Sequence, residues 1–307
     1  MSGAAGSRPD LEGVLVVDKP AGMTSQDVVG AVRRAIGARR RTGPKVGHAG
    51  TLDPQATGVL VVAIGRATRL VPWLQASRKT YDATMRLGAR TDTLDADGEV
   101  LSETSAAHLD EAAVCDALGR FTGELAQVPP MVSALKVDGE RLHAKARRGE
   151  TVEREPRTVV VDDLVLEAFE PGERPLARFL VTCSTGTYVR SLAADVGEAL
   201  GVGAHLTALR RLGSGRFDLG AAVPLEVVVE AAGQGSLGPR LLSLAEAVAD
   251  FPARWLDAAE AAALSHGRPL PPTGHDGPVA AIGPDGDLVA MIADRDGAAR
   301  PEAVLAR

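Results

Sequence analysis

The sequence predicts an α+β protein: a central mixed, largely antiparallel sheet flanked by helices, followed by a small β-rich module at the C-terminus. Three observations carry this. Short apolar runs and period-two alternation mark strands, as in GVLVVDKP and KTYDATMRL. Apolar stripes at helical spacing lie between them. The two kinds of segment are interleaved without the regular strand-helix-strand beat that a parallel sheet would impose.

Taken in order, GVLVVDKP from Gly13 reads as a buried strand stopped by Pro20. A helix follows, because Thr24 with Asp27 three residues later forms a capping-box pattern, Val28, Val32 and Ile36 share one face, and Gly37 can end it. A basic loop then leads into KVGHAGTLDPQATGVLVVAIG, a glycine-punctuated turn feeding a second buried strand over 59–64. Lys79, Tyr81, Ala83, Met85 and Leu87 alternate along a third strand. Residues 109–121 read as a helix, and 158–169 and 176–183 as strands rich in β-branched and apolar residues. After the STGT turn, Val189, Leu192, Ala193, Val196 and Leu200 make a helical stripe closed by Gly201. The stretch 233–239 (GQGSLGP) is the natural linker, so the expected domains are 1–232 and 240–307. In the latter, PLPPTGHDGP and GPDGD predict turns between short strands.

The chain has 307 residues, enough for one large domain with a small appendage. No apolar run reaches the roughly 18 residues of a membrane span, and MSGAAGSRPDLEG lacks the apolar core of a signal peptide, so the cytoplasm is the expected location. Two distant cysteines, Cys115 and Cys183, support neither a disulfide framework nor a zinc site, and both read as small buried hydrophobes. The net charge of −6 is unevenly distributed. Residues 218–307 carry 6 Lys and Arg against 13 Asp and Glu, whereas residues 1–217 carry 28 against 27. In that first part positive charge bunches at Arg33, Arg34, Arg39, Arg40, Arg41 and Lys45, and again at Lys136, Arg141, Lys145, Arg147 and Arg148. Such runs suit either solvated surface or phosphate contacts.

GHAGTLDPQATG is the most unusual passage: a His, an Asp and several Gly and Pro residues between a basic loop and a buried strand. A carboxylate on such a turn is aimed outward from a rigid support. Pattern alone leaves a second reading of Asp53 open, that of a turn residue bonded to nearby backbone N–H groups. A phosphate-cradling loop is disfavoured, since neither a GK[ST] ending nor GxGxxG after a strand is present.

The blocks KVGHAGTLDPQATGVLVVAIGRATR, KTYDATMRLGARTDTLDADG, QVPPMVSALKVDGERLHAKARRGE and GTYVRSLAADVGEALG, in this order and spacing, resemble the signature blocks of the TruB family of tRNA pseudouridine synthases. The similarity runs from about residue 13 to 217. It implies the pseudouridine synthase fold and isomerisation of uridine-55 in the tRNA T-loop, with the target base flipped out of its stack. Asp53 matches the family's catalytic carboxylate. Uracil must leave C1′, turn and rejoin through C5 without net redox change, so no cofactor or metal is expected.

The resemblance further implies that Arg190 pairs with the catalytic Asp, Tyr81 stacks on the target base, and His48 fills the space the base vacates. Lys19 would support the floor of the site, Leu209 line the pocket, and Asp95 brace the arginines or contact RNA. Residues 129–157 match an insertion that closes over the T-arm, giving Lys136 and its basic neighbours a target, as the loop of Arg39, Arg40 and Arg41 would have in RNA phosphates. Many relatives carry an aromatic where this chain has Val132 and Tyr where it has His143. The last seventy residues resemble a PUA-type RNA-binding module through ALSHGRPL. The expected partner is tRNA, bound by a monomer with no guide RNA and no membrane. Two alternatives remain open: a tRNA-folding factor that binds the T-arm without catalysis, and a related synthase acting on another RNA.

Overall fold

The computed structural model describes residues 11–38, 43–133, 135–137, 140–142, 148, 150 and 152–306. Contacts divide the chain into two compact units, residues 1–54, 58–76 and 215–307, and residues 55–57 and 77–214.

In the first unit the Gly13–Lys19 strand lies between Thr57–Ile64, antiparallel to it, and the short parallel strand Val223–Pro224. Val14, Leu15 and Val17 are all fully buried, which is why the segment reads as an unbroken apolar run rather than an alternating one. The Val46–His48 strand pairs antiparallel with the Val62–Ile64 end of Thr57–Ile64. Helix Ser25–Ala35 begins with the expected capping box: Thr24 accepts from Asp27 N, and the Asp27 carboxylate accepts from Thr24 N. It buries Val28, Val29 and Val32 and packs against helix Leu225–Gly233; Gly37, at φ +70°, turns the chain away. The stretch read as a linker is packed rather than loose, since Ser236 N donates to Ala231 O at 2.8 Å and Leu237 is buried.

The C-terminal part of this unit is the expected β-rich module. Its sheet runs in the order Ala253–Trp255, Val279–Ile282, Leu288–Arg295, Ala298–Val304, the first pair parallel and the others antiparallel. It also carries a helix the turn-rich sequence did not suggest, Ala258–Ser265, started by a capping box between Asp257 and Glu260 and anchored by Leu264.

The second unit is an antiparallel sheet in the order Ala204–Ser214, Lys79–Leu87, Leu176–Cys183, Arg157–Glu170, Gly123–Gln127. Lys79–Leu87 alternates as predicted, with Tyr81, Ala83, Met85 and Leu87 buried on one face. Helix Val189–Ala199 packs closely on Ala204–Ser214: a Cβ on Gly197 would sit 2.3 Å from Ala204 N, so only glycine fits. Helix Glu111–Gly119 buries Val114, Ala117 and Leu118 against Arg157–Glu170. Cys115, expected to be buried, is exposed, because it falls on the outer face of that helix; Cys183 is buried as expected. The α+β class and the largely antiparallel pairing therefore hold, with Val223–Pro224 and Ala253–Trp255 as the parallel exceptions.

Candidate active site

Asp53 lies, half-buried, on the turn between Val46–His48 and Thr57–Ile64. Its backbone is held from both sides by the segment that starts the first helix. On the preceding side, Leu52 N donates to Ser25 Oγ at 2.8 Å and Ser25 Oγ donates to Leu52 O at 3.1 Å. On the following side, Pro54 O accepts from Gly22 N and from Lys19 Nζ, both at 2.9 Å. Lys19 also donates to Pro20 O at 2.8 Å and Met23 O at 2.6 Å and is fully buried. One ammonium thus gathers three carbonyls, from the end of the first strand, the helix approach and the Asp53 turn. All three of its donors are used by main-chain oxygens. Gly50 at φ +100° and Gly58 at φ +99° let the turn reverse on each side.

His48 ends its strand opposite Val62 and is half-buried. Arg33, part of the first basic run, donates to Val46 O at 3.0 Å, so this cation helps to fix the strand that carries His48. Arg39, Arg40 and Arg41 lie outside the described residues.

In the second unit Arg190 occupies the first turn of helix Val189–Ala199 and is only 3% exposed. Its guanidinium donates to Thr93 O and Val132 O, both at 2.9 Å, and pairs with Asp95 Oδ2 at 3.2 Å. Asp95 is positioned in turn: its Oδ1 accepts from Thr93 Oγ1 at 2.5 Å and from Asp97 N at 3.2 Å, and its carbonyl accepts from Thr91 Oγ1 at 2.8 Å. The neighbouring Leu94, held at φ +63°, accepts from Leu206 N at 3.0 Å, docking this loop on the Ala204–Ser214 strand. The Asp95 carboxylate thus lies on the Arg190 guanidinium.

The start of the arginine helix is held by Gln127, which sequence reasoning missed. Its amide donates to Tyr188 O at 3.1 Å and accepts from Tyr188 N at 2.8 Å, while Ser191 Oγ donates to Val128 O at 3.2 Å. No spacing rule links residue 127 to 188, and the same holds for Ser25 and Leu52; the pairs meet only through the fold. At Val132 the main-chain carbonyl holds Arg190, a contact indifferent to the side chain.

Tyr81, 8% exposed, sits on Lys79–Leu87 opposite Val181 on one side and Arg211 on the other. Leu209 opposes Ala83 and therefore projects from the same face as Tyr81. In the insertion, Lys136 lies on a two-residue strand whose backbone pairs with that of Arg141; the side chains of both, and His143, Lys145 and Arg147 entirely, lie outside the described residues. Arg148 is exposed and bound by Glu140 and Glu150, each at 2.6 Å, so its charge is already matched within the insertion. Among the described residues no cluster of His, Cys, Asp and Glu could hold a metal ion, and no helix is long and apolar enough to cross a membrane.

Comparison with known proteins adds the following. Residues 33–189 match the model of the TruB family pseudouridylate synthase N-terminal domain. Residues 190–249 match the tRNA pseudouridylate synthase B C-terminal domain, and 251–306 the tRNA pseudouridine synthase II C-terminal domain. A tRNA pseudouridine synthase B from Thermobifida fusca is 49% identical, over 96% of this chain and 99% of the relative. One from Mycobacterium tuberculosis is 47% identical over 95% of each. Among solved structures, one titled as a Cbf5-Nop10-Gar1 complex contains a chain that matches with TM-score 0.74 and 29% identity, covering 97% of this chain and 86% of that one.

Proposed function

The chain belongs to the TruB family of pseudouridylate synthases, and from that premise we propose that it converts uridine-55 to pseudouridine in the T-loop of tRNA, with Asp53 as the catalytic carboxylate. The observation that carries this reading is the nearly full-length match to relatives named tRNA pseudouridine synthase B. The clamped Asp53 turn supports it physically, because a nucleophile gains from being fixed before the substrate arrives.

In this reading the T-arm is bound with its target nucleotide extruded, and His48 occupies the gap. The Asp53 carboxylate acts on the nucleoside without help from a cofactor. Arg190 takes the part of the family arginine that pairs with the carboxylate, and its guanidinium is held by Asp95, Thr93 O and Val132 O. Tyr81 offers its ring to the base, and Leu209 lines the same face. The loop of Arg39, Arg40 and Arg41 and the insertion around Lys136 contact phosphates, and the C-terminal module is PUA-like. The enzyme works in the cytoplasm as a monomer without a guide RNA.

Asp53→Asn tests the proposal: pseudouridine formation in a T-arm stem-loop should fall by at least about a thousandfold while RNA affinity stays within roughly threefold. Product at the normal rate would overturn it. A tRNA-folding factor would instead retain all its activity in this variant. Persistence of the T-loop modification in cells lacking the protein would redirect the search to another RNA.

A further inference from the structure

Resting on the reading of Arg190 as the family arginine that pairs with the catalytic carboxylate, we propose that Arg154, with Gln127, is a positioning residue for it. Together they hold the segment 127–132, whose last carbonyl takes one arm of the Arg190 guanidinium, so the neck of the insertion over 129–157 sets the aim of the arginine.

The segment is tied down along its length. Gln127, 3% exposed, grips Tyr188, the N-cap of the arginine helix, by both its N–H and its carbonyl. Val128 O accepts from Ser191 Oγ, Pro129 and Pro130 are buried, and Val132 O accepts from Arg190 Nη2. The carbonyl in the middle of this run is taken by a residue from the other end of the insertion: Arg154 Nη1 donates to Pro129 O at 3.1 Å. Strand register explains the meeting. Gln127 pairs with Arg157 where Gly123–Gln127 and Arg157–Glu170 run side by side, so the chain leaves and re-enters this sheet at neighbouring points. Arg154 closes the neck just beyond that pair.

Two prolines make the run stiff. Each ring fixes its own φ at about −65° and confines the residue before it to extended backbone, so little torsional freedom remains between Val128 and Pro130. A shift at Pro129 is therefore passed on to Val132 instead of being absorbed. The buried carbonyl of Pro129 also needs a donor, and Arg154 supplies one.

The guanidinium of Arg190 is held from two directions. Nη1 meets Thr93 O and Asp95, while Nη2 meets Val132 O. Removing Arg154 leaves the first hold intact, so the charge stays buried and paired while one arm loses its aim. The effect falls on the rate of the chemical step and spares RNA affinity. Arg154 is thereby set apart from Lys136 and the basic residues around it, which the sequence assigns to RNA: an arginine of the same insertion acts on the chemistry, through Val132 O.

Three measurements test this: single-turnover conversion of a T-arm stem-loop, affinity for that stem-loop, and the side-chain Nε–H nuclear magnetic resonance signal of Arg190, assigned by its loss in Arg190→Lys. Arg154→Met should slow conversion roughly 10- to 100-fold, keep affinity within about threefold, and shift the Arg190 signal with faster solvent exchange. Arg154→Lys, which can offer a donor to the same carbonyl, should restore conversion to within about threefold. In a natively folded Arg154→Met protein an unmoved Arg190 signal overturns the proposal, and so does a loss of affinity with conversion intact, which would make Arg154 an RNA contact. Conversion at the normal rate overturns it where Arg190→Met is slow. Failure of the underlying reading looks different, since Arg190→Met would then itself convert the stem-loop normally. Should Arg154→Met not fold, Gln127→Glu, which keeps the acceptor for Tyr188 N and loses the donor to Tyr188 O, is judged by the same readouts.

Discussion

The segments that carry Asp53 and Arg190 are stiffened by different means. Around Asp53 the neighbours on both sides, Leu52 and Pro54, are held through main-chain atoms by Ser25, Gly22 and Lys19. Around Arg190 it is the charged group itself that is held, by Asp95 and two carbonyls. Gripping the peptide on both sides of Asp53 fixes the point from which its side chain starts. A cation that supplies a field loses nothing by being bonded, so its own donors carry the restraint.

The sharpest way to break the comparison is Lys19→Met, which leaves three gathered carbonyls without their common donor. A loss of roughly 3–5 kcal/mol is expected, read by denaturant unfolding, together with a fall in turnover. Lys19→Arg should not rescue it, because a planar fork cannot replace a compact ammonium inside one ring of carbonyls. A variant of unchanged stability would show that this frame is dispensable.

Asp95→Asn comes next. The pair is partly solvated on the Asp95 side, whose side chain is 25% exposed, so the cost in stability should be only about 1–2 kcal/mol. Turnover should fall more than RNA affinity, because the guanidinium loses its aim rather than the protein its fold. If KM alone rises, Asp95 contacts RNA and does not act through Arg190.

Ser25→Ala should cost about 1–2 kcal/mol, since it strips both hydrogen bonds from Leu52 next to Asp53. Its signature is a lowered kcat at unchanged tRNA affinity; equal kcat would mean that Lys19 alone suffices to hold the turn.

The smallest effect is one of pH. Lys79 falls from 10.5 unfolded to about 8 folded, so its contribution to stability is complete above 10.5 and is lost as pH falls through 8. Cys183 rises from 9.0 to about 11, so its contribution is complete below 9 and is lost as pH rises through 11. The two oppose each other between 9 and 10.5. Cys183→Ala should therefore turn a nearly flat stability profile in that window into a rising one, and Lys79→Met into a falling one. Unaltered profiles would mean that neither group is shifted by burial.

Much of this was legible before any coordinates. The capping box at Thr24 and Asp27, the alternation of Tyr81, Ala83, Met85 and Leu87, and the Gly201 stop, at φ +74°, are local rules written in neighbouring residues. The helix Ala258–Ser265 escaped because its alanines, exposed at Ala258, Ala259 and Ala262, make no apolar stripe beside the single buried anchor Leu264, and turn-rich segments surround it. Cys115 was misjudged because a thiol's preference for the interior is weaker than the choice of helix face made by Val114, Ala117 and Leu118.

What the sequence determined by itself is therefore the family and most of the elements, since these reside in motifs and periodicities within a few residues of one another. What only the tertiary structure decided is how particular residues are held: Ser25 against Leu52, Lys19 on Pro54, Asp95 and Val132 on Arg190, and Gln127 on Tyr188. These contacts join residues tens of positions apart, and a hydrogen bond depends on where a donor and an acceptor come to rest in space, which no separation along the chain specifies.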